Sequence, residues 1–291
     1  MKKKKAIVIV TGVKINEAKK IFKRSNPATL IPHKGKQYKM NAAAGAAVAL
    51  NRAGYIVYMT GSCNGCMKLL GKTLLKKPYH FTELNLLDKN AIVAFVKEVK
   101  KLQKKTGLPV HLVHYGGASE TDVKLPGNSI FLDPWETPSE AVAPIVANNT
   151  VTWFNILQGL RSVFASQKIT KVVLISAITA LRTKRLHALD AIQKGAGHAM
   201  ARSLALDLTP ENIFITEIMP GITDTGFYDN PKTLKYIKHA SKELGYDYTD
   251  ATFPVFSAER AGEAVVFAMD VDAHVREITL MPFGQYPHLG A

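Results

Sequence analysis

Three side chains about two thirds of the way along the sequence could move a proton or hold a charged ligand: His187, Asp190 and Lys194. Asp190 lies four residues before Lys194, a spacing that on one helix predicts an ion pair. An ionised Asp190 could accept a proton as a base, and it could act as an acid only if burial kept it protonated. His187 could exchange protons near neutral pH. The alternative is an ordinary surface ion pair and a histidine at a helix start.

The elements that must position these side chains alternate between strands and helices. The apolar run at 6–11 is typical of a strand buried on both faces of a parallel sheet. Further strands are predicted at 55–60, 81–86, 110–115, 171–176, 213–219 and 277–281, and helices at 41–53, 88–105, 139–165, 186–208 and 257–269. Asp88 is the candidate N-cap of the helix that runs to Lys105. This alternation predicts one α/β domain over 1–291, a doubly wound parallel sheet with helices on both faces.

The sequence predicts neither a membrane span nor a secretion signal. No apolar run approaches the roughly 20 residues that a membrane helix needs. The opening MKKKKAIVIV has a basic start, but its apolar run is short and no small-residue cleavage site follows. We therefore expect a buried first strand and a cytoplasmic protein.

The net charge of +15 is concentrated near the start of the chain, where residues 1–40 hold 12 Lys and Arg but a single Glu. This segment is either a solvated basic surface or a counter-surface for phosphates, such as those of a nucleotide or of a CoA- or carrier-linked substrate. No zinc-finger spacing or RNA-binding aromatic motif accompanies it, so we expect no nucleic-acid partner.

The two cysteines, Cys63 and Cys66, stand in the run SCNGC. They supply half of the ligands of a structural zinc site and no second pair exists, so no metal site is predicted. Two interpretations remain for the cysteine pair. We expect two reduced thiols in a loop, and the alternative is a redox pair at a helix N-terminus, where a thiolate is stabilised.

The run KVVLISAITALRTKRLHALDAIQK at 171–194, followed by IMPGITDT at 218–225, resembles the catalytic half of the short-chain dehydrogenase/reductases. In that family a Tyr lies four residues before the helix Lys and a Ser lies thirteen before the Tyr. Lys194 matches the Lys, but Asp190 and Ala177 replace the Tyr and the Ser. The enoyl-acyl-carrier-protein reductase branch places its Tyr seven residues before the Lys, where this chain has His187.

The resemblance implies roles for several of these residues. Lys194 would orient a cofactor ribose, and Asn149, which matches the family Asn, would hold a water or the helix geometry. Asp190 or His187 would handle the proton. Ser176 and Thr179 flank the missing Ser position and could supply a hydroxyl.

The resemblance also implies a Rossmann-type site for a nicotinamide dinucleotide. Of the glycine fingerprint only Gly12 remains, and Asn41 can cap the first helix, whose run NAAAGAAVALNRAG is similar to the helix start of enoyl-acyl-carrier-protein reductases. Further positions that match cofactor contacts are Asn85, Leu86, Gly117 and Thr225. An Ala-rich helix packed on a sheet without a nucleotide is the alternative.

The end of the second predicted strand, from Thr60 to Ser62, has no Asp or Glu to bind an adenosine ribose. With hydroxyls at both positions and Lys68 nearby, the site is expected to favour NADP(H) over NAD(H).

Two segments depart from the regular alternation. An insertion at 13–40 separates Gly12 from the first helix, and its residues Ile15, Ala18, Ile21 and Phe22 share a face of an amphipathic segment. It could fold over the cofactor as a lid or cover the sheet edge. The segment 222–256 corresponds to the mobile substrate loop of the family, with Tyr228, Tyr236 and Phe253 as candidate pocket walls.

The helix after Lys194 is crowded with small residues, which permit close helix approach and predict a homodimer or homotetramer. The combined reading is a divergent NADP(H)-dependent oxidoreductase acting on a carbonyl or enoyl substrate, small or carrier- or CoA-linked. The alternatives are a non-redox dehydratase, isomerase or lyase that uses Asp190 as base, and a non-catalytic nucleotide-binding regulatory protein.

Overall fold

A computed structural model describes residues 5–25, 29–116, 123, 125–126, 130–183, 185–243 and 245–285. In chain order its elements are β1 (Ile7–Val10), β2 (Ile15–Glu17), β3 (Ile31–His33), β4 (Lys36–Met40), α1 (Ala42–Arg52), β5 (Ile56–Gly61), α2 (Asn64–Leu74), β6 (Tyr79–Glu83), α3 (Lys89–Thr106), β7 (Val110–Tyr115), α4 (Val142–Phe164), β8 (Thr170–Ile175), α5 (Ala188–Leu208), β9 (Ile213–Pro220), β10 (Thr223–Asp224), α6 (Pro231–Lys242), β11 (Phe256–Ser257), α7 (Ala258–Asp270) and β12 (Glu277–Leu280).

Seven strands form one parallel sheet in the order β12-β9-β8-β7-β1-β5-β6. The order reverses at β1, so the sheet is doubly wound and has its topological switch point beside the first strand. The predicted fold class and the seven predicted strands are confirmed. The third predicted strand lies two residues early, at 79–83 instead of 81–86, because pairing with β5 extends it toward its start.

The two faces of the sheet carry separate helical layers, as alternation along β1 requires. Val8 and Val10 pack with α1, α2 and α7, whereas Ile7 and Ile9 pack with α3, α4 and α5. Successive side chains of a strand point to opposite faces, so a run that is apolar at every position is buried twice. All four residues of β1 are fully buried. Local caps also match the sequence: Asp88 Oδ1 accepts from the Asn90 and Ala91 amides at the start of α3.

The insertion at 13–40 forms a small antiparallel sheet, β2-β4-β3, instead of one amphipathic face. Ile15 and Phe22 are buried as predicted, but Ile21 is 54% exposed. The shared face does not exist because Ile15 lies in a strand paired with β4 and the chain turns irregularly after Glu17. Two helices were also missing from the prediction, α2 and α6.

The expectation of two reduced thiols in a loop is wrong for this structure, in which Cys63 and Cys66 form a disulfide. Cys63 caps α2 and Cys66 lies in its first turn, which brings their Cα atoms to 5.2 Å, a usual separation for a disulfide. No helix among the described residues is both long and apolar enough to cross a membrane.

Candidate functional site

A cavity of about 1090 Å³ opens at the carboxyl ends of the central strands, where ligands of doubly wound sheets bind. Its walls come from the β1–α1 turn, the segments after β5, β7, β8 and β9, the start of α5 and the segment leading into α6. Segments that are distant in sequence meet here because parallel strands bring their carboxyl ends to one edge.

The β1–α1 turn passes close to the backbone of β7 and reaches the cavity wall. Gly12 has a φ of +72°, and a Cβ placed on it would lie 2.3 Å from the Tyr115 carbonyl oxygen, so only glycine fits. Asn41 caps α1 by accepting from the Ala44 amide at 2.9 Å, and its Nδ2 donates to the Gly12 carbonyl at 2.7 Å. Asn41 also accepts from the Lys14 amide at 3.2 Å. This one side chain therefore keeps the turn closed across the insertion and leaves the N-terminus of α1 at the cavity wall.

The predicted contacts on the adenosine side divide into two groups. Ser62 is exposed and lines the cavity, but Thr60 is fully buried inside β5 and does not. Asn85 and Leu86 do not line the cavity either. Asn85 Oδ1 accepts from the Leu87 amide in a tight turn, and the Leu86 carbonyl accepts from Asn155 Nδ2 on α4. Gly117 lies outside the described residues.

Lys194 on α5 lies deep in the cavity and is 7% exposed. Its Nζ donates to the Gly116 carbonyl at 3.3 Å and lies 5.7 Å from the centre of the Tyr115 ring. Burial lowers the pKa of the Lys194 ammonium, and the negative charges of Asp190 and Glu217 partly offset that effect.

The predicted ion pair between Asp190 and Lys194 does not form. Asp190 lines the cavity from the first turn of α5, and no contact within 4.0 Å joins it to Lys194 in the described part of the chain. Lys194 is directed instead toward the end of β7. Tertiary packing has therefore overridden the local helix spacing, and the ammonium carries its charge into the cavity without a bound carboxylate.

Asn149 lies buried on α4 and connects it to α5, because its Nδ2 donates to the Gln193 carbonyl at 2.6 Å. A Cβ on Gly197 would lie 2.5 Å from that same Nδ2, so the small residues of α5 let the two helices approach at this point. Asn149 itself does not line the cavity within the described residues. The hydrogen bond to Gln193 joins α4 to α5 beside Lys194, and the role of Asn149 in the reaction stays a prediction.

His187 lines the cavity immediately before α5 and is buried. Its Nδ1 lies 2.8 Å from the Arg185 carbonyl, and its ring packs 4.2 Å from the ring of Phe131, centre to centre. The preceding Leu186 has a φ of +62°, a left-handed conformation that is strained for leucine. The turn that presents His187 to the cavity is thus held by its surroundings rather than by local preference.

The segment after β9 forms another part of the cavity wall and contacts the β1–α1 connection through Asn16. Thr225 and Tyr228 line the cavity as predicted, while the predicted wall residues Phe253 and Tyr236 do not. Phe253 is fully buried and stacks on Phe22 at 5.0 Å, and Tyr236 packs on Phe131 at 6.1 Å. Ser176 and Thr179 both lie on the cavity wall beside Ala177.

Sequence reasoning missed Tyr115 and His114. Tyr115 lines the cavity between Gly12 and Lys194, and an aromatic residue directly before two glycines at a strand end was the available signal. His114 is fully buried, and its Nδ1 lies 2.8 Å from Thr11 Oγ1. Burial lowers the pKa of His114 to about 3, and the positive charge of Lys194 contributes to the shift. The His114 imidazole is therefore neutral at physiological pH. The wall residues Asn16 and Lys19, from the insertion, were also missed.

A family model described as enoyl-(acyl carrier protein) reductase matches residues 39–270. No curated protein matches the sequence.

Solved structures with the same fold cover nearly the whole chain. An alcohol dehydrogenase from the archaeon Thermococcus sibiricus, complexed with 5-hydroxy-NADP, is 15% identical with a TM-score of 0.68, over 98% of this chain and 99% of that one. A short-chain dehydrogenase from Streptomyces avermitilis is 14% identical with a TM-score of 0.67, over 96% and 89%. A short-chain dehydrogenase/reductase from Vibrio parahaemolyticus is 17% identical with a TM-score of 0.63, over 94% and 99%.

Proposed function

The chain belongs to the short-chain dehydrogenase/reductases, and from that premise we propose that it is an NADP(H)-dependent oxidoreductase acting on a carbonyl or enoyl substrate. One observation carries the proposal: a single cavity is bounded on one side by a glycine turn at a helix N-terminus and on the other by the buried, carboxylate-free ammonium of Lys194. A dinucleotide needs both features, one for its pyrophosphate and one for its ribose.

The residues present fit a nicotinamide dinucleotide. The Gly12 backbone and the Asn41-capped helix start line the cavity and would hold phosphate oxygens, because a helix N-terminus presents backbone amides to an anion. Lys194 would donate to ribose hydroxyls, and Thr225 would contact the carboxamide. When bound, the reduced cofactor supplies a hydride to the substrate.

The proton that completes the reduction of the substrate must come from this chain or from water. Asp190 and His187 both line the cavity near Lys194, and we propose that one of them exchanges the proton with the substrate oxygen or carbon. Thr179, one of the cavity residues beside Ala177, would take the place of the missing serine hydroxyl. Asn149 would act as a positioning residue, since it fixes the Gln193 carbonyl next to Lys194.

We propose NADP(H) rather than NAD(H), because no carboxylate follows β5 at the cavity wall and exposed Ser62 stands there instead. Exposed Lys14, on the same wall directly after the turn, adds a positive charge for a 2′-phosphate. The lysines at 19 and 232, which also line the cavity, favour a substrate with an anionic part, such as one linked to CoA or a carrier.

The test is a calorimetric titration with NADPH and with NADH. We expect micromolar binding of NADPH, at least tenfold tighter than of NADH; equal affinity would remove the argument from Ser62 and Lys14. A screen of aldehydes, ketones and enoyl thioesters follows, in which turnover is measured for the wild type, Asp190→Asn and His187→Gln. Loss of turnover in one variant, with NADPH affinity unchanged, identifies the proton carrier.

Two outcomes would replace the proposal. Binding without turnover of any substrate, with both variants indistinguishable from wild type, indicates a nucleotide-binding regulator. Turnover of a substrate without cofactor oxidation, lost in Asp190→Asn, indicates a dehydratase, isomerase or lyase.

A further inference from the structure

A buried ion cluster joins the insertion to the segment that follows β9. Lys39 on β4 is 2% exposed, and its Nζ lies 2.6 Å from Asp224 Oδ1 and 2.7 Å from Asp229 Oδ1. Both carboxylates are buried as well. A lysine in such a place is exceptional, because a charge removed from water is tolerated only when it is paired and hydrogen-bonded.

The insertion supplies hydrogen-bond donors to both carboxylates. Asp229 Oδ2 accepts from the backbone amides of Lys19 at 2.8 Å and of Lys20 at 3.1 Å. Asp224 Oδ2 accepts from the Ser25 hydroxyl. All the hydrogen-bond donors that the described structure gives these two carboxylates thus come from the insertion.

The aromatic ring of Phe22 packs against the ion cluster. The Lys39 ammonium lies 5.1 Å from the centre of the Phe22 ring, and Phe22 stacks on Phe253 at 5.0 Å. Water is therefore kept from the ion pairs, which strengthens them relative to a surface pair.

The residues between the two carboxylates line the cavity. Thr225 follows Asp224 directly, and its carbonyl accepts from Asn16 Nδ2 of the insertion at 2.9 Å. Gly226 has a φ of +86°, and a Cβ there would lie 3.2 Å from Asn16 Cβ. Asn16, itself a wall residue of the cavity, and the ion cluster thus fix the backbone of 224–229, and Thr225 to Tyr228 line the cavity.

We propose that Lys39 and Asn16 are positioning residues, by which the insertion fixes the segment 224–229 in the conformation that receives the nicotinamide end of the cofactor. The proposal makes the insertion a fixed support of the cavity wall on the substrate side. The insertion is then neither a lid nor a cover of the sheet edge. The inference rests on the proposed function for its cofactor, but the ion cluster and its effect on the segment are independent of it.

The experiment compares Lys39→Met with Lys36→Met. Lys36 lies on the same strand and pairs with Glu17 on the exposed side, so its loss removes a lysine and an ion pair without touching the cluster. In Lys39→Met two buried carboxylates lose their shared cation, and hydrogen exchange of the amides at 223–230 is expected to rise at least tenfold. The amides of β8 should keep their wild-type rates.

Ligand binding separates positioning from general destabilisation. NADPH affinity is expected to fall at least tenfold in Lys39→Met, while the adenosine bisphosphate half of NADPH, which lacks nicotinamide, should bind as it does to wild type. Equal losses for both ligands, or exchange and binding unchanged, would overturn the proposal. Lys36→Met should match wild type throughout.

Asn16→Leu provides the second variant, since it keeps the approximate size of the side chain, cannot donate to the Thr225 carbonyl and adds no charge to the cavity that Asn16 lines. We expect a three- to tenfold loss of NADPH affinity with the adenosine half unaffected, and an unchanged affinity in this variant would also overturn the proposal. If the wild type binds no NADPH, the exchange comparison still decides whether the cluster holds the segment, and only the proposed function fails.

Discussion

At the scale of single residues, the chemistry of the cavity depends on where charges are paired. Lys39 has two buried carboxylates, whereas Lys194, also buried, donates among the described residues only to a backbone carbonyl and has Asp190 as a more distant counter-charge. Removing one partner of a buried ion pair destabilises a protein, whereas a buried cation without a carboxylate itself costs stability, and perturbed groups of this kind cluster at functional sites.

Replacing Lys194 by Met is therefore expected to stabilise the protein while weakening NADPH binding at least tenfold. Burial lowers the pKa of Lys194, so between that value and 10.5 the unfolded chain holds a proton that the folded chain has lost, and wild-type stability rises with pH. At a pH below the lowered pKa both states are protonated, and the full cost of burying the charge is present. The stability gain of the variant should therefore be largest at the lower pH and should shrink as the pH rises toward 10.5.

The measurement is urea unfolding at pH 7 and pH 10, with Lys235→Met on exposed α6 as the control. The difference between Lys194→Met and wild type should shrink at pH 10. A variant less stable than wild type at pH 7 would contradict the account of Lys194 as an unpaired buried charge.

At the scale of elements, the position of α1 decides where its N-terminus points. A Cβ on Gly45 would lie 2.2 Å from the Ala258 carbonyl of α7, and one on Gly262 would lie 2.5 Å from the Gly45 carbonyl. The backbones of α1 and α7 are thus in direct contact, which explains the small residues along α1 and fixes the direction in which the helix meets the cavity.

We expect Gly45→Ala to destabilise the protein by about 1–3 kcal/mol, because neither backbone can yield without moving a helix. NADPH affinity should fall with it, since the start of α1 would shift. Thermal melts and the NADPH titration measure both effects. Gly65→Ala in α2, where no atom lies within 4 Å of the added Cβ, should stay within about 1 kcal/mol of wild type. An equally stable Gly45→Ala would show that the contact is not tight.

At the scale of the whole molecule, the exposed surfaces of α4 and α5 carry large apolar side chains. Val151 and Phe154 on α4 and Ile192 and Leu206 on α5 are all exposed, Leu206 by 70%. These helices pack on one another, and a Cβ on Gly195 of α5 would meet no atom of the same chain. Such a surface fits the predicted homodimer or homotetramer.

Sedimentation velocity of the wild type should therefore give a dimer or tetramer. Phe154→Glu and Ile192→Glu are expected to shift it toward monomer, because each places a charge in an apolar contact. Val93→Glu, at an exposed apolar position of α3, should leave the assembly intact. A monomeric wild type would contradict the prediction.

Features that depend on residues close together in the chain could be predicted from the amino-acid sequence. Apolar runs, continuous at 6–11, predicted the strands of the sheet, and Asn41 and Asp88 were identified as caps, because a cap bonds to amides two or three residues away. The cavity edge followed from the alternation of strands and helices, whereas the choice of Lys194 came from the family resemblance.

The ionic contacts between side chains depend on how the elements pack and could not be predicted from the sequence. Lys39 lies 185 residues before Asp224, so no spacing in the sequence could indicate their contact, whereas the spacing of Asp190 and Lys194 indicated a pair that packing against β7 prevents. The fold of the insertion could not be predicted from the sequence either. Its strands β2, β3 and β4 pair with one another, and its burial depends on the distant segment at 222–256. Local propensity fixes elements, and burial, which is a property of the packed molecule, fixes the ionic contacts between them.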